Sequence, residues 1–207
     1  MNTTWKITIV TILFWGFSAW NPLRSTAATP TEQLQGTLEE IVAILKNSPS
    51  NSEADATAFR TNLIQAISPR FDFTEMAKRC LGSHWGNRTA EEQREFVKIL
   101  AGFLGRSYVG NIQSYTNQRV VYTREFKDTN YAEVDTKIIT EQAKDVFVNY
   151  KLHLVNNDWK VYDVVIDNVS LINNYRSQFN RVIARSSFEN LVRMMKDKQP
   201  QGLETTP

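Results

Sequence analysis

The chain has 207 residues, of which 42% are hydrophobic and 22% charged, with 8 Gly, 6 Pro and one Cys. These proportions are typical of a globular domain and exclude collagen-like, low-complexity and disulfide-rich chains. The 24 basic and 22 acidic side chains give a formal net charge of +2, and removing residues 1–28, which hold Lys6 and Arg24 and no acid, leaves 22 of each. Because nucleic-acid binding needs an excess of clustered Lys and Arg, we expect no nucleic-acid partner.

Residues 1–28 have the organisation of a secretory signal peptide. Lys6 precedes an apolar run over residues 7–20, Asn21 and Pro22 interrupt that run, and the small residues 25–28 offer a cleavage site. A transmembrane anchor is the less favoured alternative, because a spanning helix needs about 20 apolar residues. The pattern therefore predicts an exported protein with a single mature domain over residues 29–198 and a disordered polar tail over residues 199–207.

The first half of the mature chain carries apolar residues at helical spacing. This spacing predicts helices over residues 31–47, 53–67 and 73–81. Thr89 and Glu92 form a capping box, which predicts the start of a long helix that runs to about residue 115. Large apolar and aromatic side chains form a stripe along this helix, so we expect that face to be buried.

In the second half the apolar period changes from 3.6 to 2 residues. The alternation predicts strands over residues 120–126, 131–140, 146–155 and 159–169. Since the connections between them are short, consecutive strands must pair antiparallel, as a four-stranded meander. Ser170 is placed to cap a helix that follows the sheet, and one more helix comes after it. The predicted fold class is α+β, with about six helices.

Residues that could perform chemistry are few. His84 and His153 are 69 residues apart and neither lies at ligand spacing from Cys or acidic residues, so we expect no metal site. Cys80 falls on the apolar face of a predicted helix, where a buried, unreactive thiol is expected. Asp163 and Asp167 are four residues apart on the last predicted strand and could form an acid–base pair on one face. Pairing of Asp163 with a nearby Lys or Arg is the favoured interpretation.

A resemblance to a known family rests on residues 156–179, which read NNDWKVYDVVIDNVSLINNYRSQF. This stretch is similar to the signature of the MlaC/toluene-tolerance family of periplasmic phospholipid-binding proteins, roughly W-K-V-Y-D-V-x-x-x-G-V-S-L-x-x-N-Y-R-x-x-F. Further matching blocks extend the resemblance over about residues 71–196 in order. Asn168 stands where the family usually has Gly, and we expect a turn there in the left-handed conformation that Asn also tolerates.

The resemblance implies a curved antiparallel sheet wrapped by helices around an apolar cavity that takes lipid tails. It implies a periplasmic lipid carrier that is not an enzyme, has no cofactor besides its phospholipid cargo, and maintains outer-membrane lipid asymmetry. The implied partners are an inner-membrane ABC transporter with an MCE-domain subunit and an outer-membrane lipoprotein–porin complex. Two alternatives remain open: a carrier of another amphiphile such as a hopanoid, and a small α+β hydrolase or isomerase that uses Asp163 and Tyr162.

Candidate lining residues of the cavity are the inward-facing side chains of the long helix, the sheet and the helix that follows it. For each of them, ordinary core packing is the alternative. The predicted lining residues are Phe103, Leu104, Tyr108, Ile112, Tyr115, Val134, Ile138, Val148, Tyr150, Leu152, Val164, Ile166, Tyr175 and Phe179.

Overall fold

The computed structural model describes residues 28–46, 53–114, 119–139 and 145–197. The predicted signal peptide up to residue 27 and the predicted tail at residues 199–207 therefore lie outside the described residues. Within the described ranges, no helix is both long enough and apolar enough to cross a membrane.

Six α-helices occur among the described residues, and the first four agree with the predicted ranges to within a residue or two at each end. They are α1 (Pro30–Lys46), α2 (Glu53–Ile67), α3 (Phe73–Leu81), α4 (Ala90–Ser114), α5 (Leu171–Arg185) and α6 (Phe188–Lys196), with a 3₁₀ helix at Gly82–Asn87 between α3 and α4.

Side-chain caps fix where several of these helices begin. At α4 the capping box is confirmed: the Thr89 Oγ1 accepts from the Glu92 N–H at 3.2 Å, and the Glu92 carboxylate accepts from the Thr89 N–H at 2.7 Å. At α5 the Ser170 Oγ accepts from the Asn173 N–H at 3.0 Å, as predicted. Each cap satisfies backbone N–H groups that the helix itself leaves unpaired.

In the part of the chain that the structure describes, the sheet is an antiparallel meander of five strands in the order β1-β2-β3-β4-β5. The strands are β1 (Arg119–Lys127), β2 (Tyr131–Ile139), β3 (Val146–Val155), β4 (Asp158–Ile166) and β5 (Val169–Ser170). The prediction of four strands missed β5, because Asp167 and Asn168 adopt φ of 45° and 70° and break the predicted strand 159–169 into two. Asn168 thus has the left-handed conformation that we expected of it.

Two irregularities in strand register bend the sheet. One lies between Tyr122 and Arg124 on β1, and the other falls at Lys151 and Leu152 on β3, where β4 carries an extra residue. A β-bulge bends its strand and increases the local twist.

The main core lies between one face of this sheet and helices α3 to α6. Aromatic side chains fill its centre: the rings of Phe103 and Tyr175 meet edge to face at 5.4 Å, and those of Phe96 and Phe179 at 6.0 Å. Cys80 is buried in this core as predicted, and burial raises the pKa of its thiol, which keeps it unreactive. A second, smaller cluster joins α1 to α2, and Leu38 packs against both clusters.

Candidate functional site

One face of the sheet presents an almost continuous apolar surface. Residues directly opposite one another in an antiparallel pair point to the same side, so the register defines four cross-strand rows. We call this surface the apolar face. Its rows are Ala132–Leu152–Val161, Val134–Tyr150–Val164, Tyr122–Thr136–Val148–Ile166 and Val120–Ile138–Val146.

Solvent exposure rises steadily from one end of the apolar face to the other. In the first row, Leu152 and Val161 are both 0% exposed. In the last row, Ile138 and Val146 are only half-buried. The helices therefore close the apolar face where β3 ends and leave it accessible where β3 begins. Six residues of β3 separate the two rows, which is about 20 Å at 3.4 Å per residue, and this exceeds half the thickness of a bilayer core.

Two tyrosines lie in the middle rows, where the apolar face begins to open. Burial raises the pKa of the Tyr150 hydroxyl, yet the side chain keeps some accessible surface. Burial and the nearby negative charge of Glu39 on α1 raise the pKa of Tyr122 to about 12. Neither hydroxyl has a hydrogen-bond partner among the described residues. Both tyrosines are therefore partly accessible side chains within the apolar face.

Aromatic side chains of α4 and α5 fill part of the core that packs against the sheet. The hydroxyls of Tyr108 and Tyr175 lie 3.2 Å apart in a buried hydrogen bond. Burial raises the pKa of both groups. Tyr175 and Phe179 are both 0% exposed, so this part of the core is closed to solvent.

The predicted lining residues come together largely as expected in one core. Val134, Ile138, Val148, Tyr150, Leu152, Val164 and Ile166 all lie on the apolar face, and Phe103, Leu104, Tyr108, Tyr175 and Phe179 pack in the same cluster. Of this set, Ile138, Tyr150 and Ile166 keep accessible surface. Ile112 lies in α4 but its side chain is outside the described part, and Tyr115 lies outside the described residues. That these residues touch a ligand stays a prediction.

The prediction missed several accessible residues on or against the apolar face, Val120 among them. Tyr122 and Val146 lie on the apolar face, and Leu38 of α1 packs against it. Tyr122 could have been predicted from the sequence. Val120 and Tyr122 alternate along β1 with the same period of 2 as the predicted lining residues of β2. Leu38 could not be chosen from sequence, since nothing local says which sheet face α1 covers.

Asp163 has a structural environment that differs from both interpretations of the sequence. Its buried carboxylate accepts from the Ser170 Oγ at 2.7 Å and from the Ile172 N–H at 3.2 Å. The expected ion pair with Lys or Arg is therefore wrong. The less favoured alternative, an acid–base pair on one strand face, does not fit either, because Asp167 lies in the turn beyond β4, where its carboxylate accepts from the Phe147 N–H at 3.1 Å. Asp163 ties the end of the sheet to the start of α5.

The two histidines each pair with one polar side chain. The His153 Nε2 lies 3.0 Å from the Asp72 carboxylate, and the His84 Nε2 lies 2.9 Å from the Asn180 Oδ1. Among the described residues, no three His, Cys, Asp or Glu side chains gather closely enough to hold a metal ion.

A model of the family described as MlaC protein matches residues 35–197. The chain belongs to the MlaC family. The intermembrane phospholipid transport system binding protein MlaC of Haemophilus influenzae is 22% identical over 202 residues, which cover 93% of this chain and 94% of that protein. The toluene tolerance protein ttg2D of Pseudomonas putida is 25% identical over 168 residues, covering 80% of this chain and 78% of that protein.

A solved structure has the same fold. The phospholipid-binding protein from Ralstonia solanacearum, in complex with a phospholipid, gives a TM-score of 0.74 at 25% identity and covers 86% of this chain and 100% of its own. In the present member of the MlaC family, Trp159, Tyr175 and Phe179 of the sequence signature are buried core residues. Arg176, within the same signature, is exposed.

Proposed function

We propose that this protein is a carrier that holds the acyl chains of a phospholipid against the open half of the apolar face and shuttles the lipid between two membranes. The observation that supports the proposal is the gradient of exposure along the apolar face, which is fully buried in its first row and accessible in its last row. The MlaC relative is named as the binding protein of an intermembrane phospholipid transport system, and the Ralstonia solanacearum neighbour holds a phospholipid.

The physical need for such a carrier follows from the hydrophobic effect. Each CH₂ group moved from an apolar environment into water costs about 0.8 kcal/mol, so exposing two chains of about sixteen carbons costs on the order of 25 kcal/mol. A lipid therefore does not cross an aqueous space alone at a useful rate. A protein that covers the chains removes most of this cost, and the head group can stay in water at the mouth.

The proposed place of action is the periplasm. The N-terminal signal peptide directs export to this compartment and is then cleaved. The proposed partners are an inner-membrane ABC transporter with an MCE-domain subunit and an outer-membrane lipoprotein–porin complex. Moving phospholipid between them maintains the lipid asymmetry of the outer membrane.

We propose no catalytic step and no cofactor besides the bound lipid. Asp163, the residue on which a hydrolase or isomerase would depend, is already committed to the Ser170 hydroxyl and the Ile172 amide. Its buried carboxylate has a structural task that explains its presence without a substrate.

The test is to identify what the exported protein carries. Protein purified from the periplasm without detergent is extracted with organic solvent, and the extract is quantified by mass spectrometry against the protein. We expect glycerophospholipid in a stoichiometric ratio. A stoichiometric hopanoid, or an empty protein that also takes up no phospholipid from vesicles, would overturn the proposal.

A further inference from the structure

A surface pocket of about 260 Å³ opens where α5 passes the end of α3, and no part of it belongs to the apolar face. It is lined by Leu81, Gly82, Ser83, Arg176, Ser177 and Asn180. On α5, Tyr175 and Phe179 are fully buried in the core, whereas Arg176, Ser177 and Asn180 are exposed. The pocket therefore lies on the outer side of α5, separated from the proposed lipid pocket by the helix itself.

The polar groups of this pocket are mostly hydrogen-bond donors without acceptors. The Arg176 guanidinium and the Ser83 hydroxyl have no hydrogen-bond partner or ion pair among the described residues. When the His84 Nε2 donates to the Asn180 Oδ1 at 2.9 Å, the Asn180 amide N–H₂ group remains available. The Ser177 hydroxyl is different, because it already donates a hydrogen bond to the Asn173 carbonyl at 3.0 Å. A ligand that accepts several hydrogen bonds would fit this arrangement.

The charge around the pocket is positive. Helix α5 contains Arg176, Arg181 and Arg185 and not one acidic residue, and none of the lining residues is acidic. On the neighbouring α3, Glu75 is already paired with Arg79 at 2.8 Å. Among the described residues, Arg176 therefore has no ion pair with a carboxylate, and its charge is available to an anion.

Gly82 allows Arg176 to lie close to the backbone of the pocket. Gly82 has φ of 54°, and a Cβ atom built on it would lie 3.0 Å from the Arg176 Nε. Any larger residue would be strained in this conformation and would push the guanidinium away. The glycine thus helps to form one wall of the pocket and to position the cation.

From these observations we propose that the pocket binds a phosphate group. The planar guanidinium of Arg176 can donate two parallel hydrogen bonds to phosphate oxygens, and the Asn180 amide and Ser83 hydroxyl supply further donors. The phosphate is carried either by the head group of a lipid at a membrane surface or by free phosphate in solution. This site is separate from the apolar face, so the proposal stands whether or not the protein carries lipid in its interior.

The first arm of the test is titration of the purified exported protein with inorganic phosphate, followed by amide chemical shifts in NMR, with sodium chloride added at matched ionic strength as reference. We expect saturable shifts at Ser83, Arg176 and Asn180, and binding at least tenfold weaker for Arg176→Gln. Arg181→Gln, which removes an exposed charge from the same helix outside the pocket, is the matched control and should bind as the wild type does.

Asn180→Asp provides a second variant if Arg176→Gln does not fold, because it places a negative charge in the pocket on an exposed side chain. We expect it to abolish phosphate binding as well. Unchanged binding by Arg176→Gln or by Asn180→Asp, or an equal loss for Arg181→Gln, would overturn the proposal, since the last result would mean unspecific attraction by the positive helix.

The second arm distinguishes the two sources of phosphate. Co-flotation is measured with vesicles of phosphatidylcholine alone and with vesicles that contain phosphatidylglycerol. Flotation that depends on Arg176 and is inhibited by inorganic phosphate identifies the lipid head group as ligand. If phosphate binding depends on Arg176 but flotation does not, the ligand is free phosphate. If Arg176→Gln changes neither phosphate binding nor flotation, the pocket does not bind phosphate.

Discussion

At the scale of single residues, Asp163 is the clearest case of a side chain whose role depends on its partners. Its carboxylate accepts from the Ser170 hydroxyl and the Ile172 amide while buried, and Ser170 in turn caps α5. We predict that Asp163→Asn destabilises the fold by about 1–3 kcal/mol, because the amide keeps one acceptor oxygen and the Ser170 hydroxyl or the Ile172 N–H loses its charged acceptor. Unfolding in urea measures this loss, and lipid bound per folded protein should stay unchanged.

Asp167→Asn is the matched control for that substitution. Asp167 is exposed, its φ of 45° suits Asn, and an amide oxygen can still accept from the Phe147 N–H. Its unfolding free energy should change by less than about 0.5 kcal/mol. Two results would contradict the structural role of Asp163. One is an Asp163→Asn protein with wild-type stability that has lost its lipid. The other is a variant that keeps its fold and lipid but loses a hydrolase or isomerase activity that the wild type has.

Asp158 gives a prediction about acid stability. Burial by itself raises the pKa of this carboxyl, but hydrogen bonds from Lys160 and Arg70 outweigh burial and hold the pKa below its usual value of 3.8. A lowered pKa in the folded state stabilises the fold above the unfolded pKa, and this contribution disappears as the pH falls through the folded pKa.

We therefore expect Asp158→Asn to lower stability at neutral pH and to have almost no effect near pH 2. The difference at neutral pH should not exceed about 1 kcal/mol, because the side chain is 40% exposed and solvent screens the pair. Urea unfolding of both proteins from pH 7 to pH 2 gives the comparison. A gap that widens on acidification would mean that Lys160 and Arg70 do not lower the pKa of this carboxyl.

At the scale of elements, the two ends of the apolar face should respond differently to the same added bulk. Leu152 lies in the closed first row and Ile138 in the open last row, one strand apart. We predict that Leu152→Trp overpacks the core, lowers stability by about 1–3 kcal/mol and leaves the lipid content of the folded fraction unchanged. Ile138→Trp should keep the stability of the lipid-free protein and reduce bound lipid, because the indole occupies space that acyl carbons would use.

Thermal unfolding of delipidated protein and lipid quantification of the same preparation test both variants side by side. Each variant controls for the other, since the substituted residue is aliphatic, the introduced residue is identical and both positions share one face. Strong destabilisation by Ile138→Trp, with full lipid in the folded fraction, would place the pocket elsewhere on the molecule.

At the scale of the whole molecule, four tyrosines from four different elements are drawn into one interior. Burial raises the pKa values of Tyr108, Tyr122, Tyr150 and Tyr175, contributed by α4, β1, β3 and α5. Because these pKa values are raised in the folded state, the neutral hydroxyls stabilise the fold up to the unfolded pKa of about 10, and stability falls as the pH rises beyond it.

We predict that absorbance at 295 nm shows two groups of tyrosines in the folded protein. These four tyrosines and Tyr162, whose pKa burial also raises, should ionise above pH 10, with Tyr122 at about 12 unless unfolding comes first. In urea all 7 tyrosines should ionise near pH 10. A folded protein whose tyrosines all ionise together near pH 10 would mean that the interior is open to water. Tyr150→Phe should remove one tyrosine from the upper group.

Local sequence signals were sufficient for the elements of this fold. Apolar spacing at 3.6 and 2 residues, the box of Thr89 and Glu92 and the cap at Ser170 determined the helices and the long strands almost to the residue, because each signal acts within one turn or one strand. The break at Asp167 was harder to predict, since the apolar alternation continues across it and only the backbone conformation of two residues ends β4.

What tertiary structure decided is which parts of those elements are covered and which stay accessible. The sequence determined that residues such as Leu152 and Ile138 share an apolar face, but only the packing of helices over the sheet closes the face at Leu152 and leaves it open at Ile138. In the same way Arg176 belongs to a recognisable signature, and only the approach of Gly82, 94 residues earlier in the chain, places its guanidinium in a pocket. Burial and unpaired charge depend on contacts between distant segments, and no local pattern encodes them.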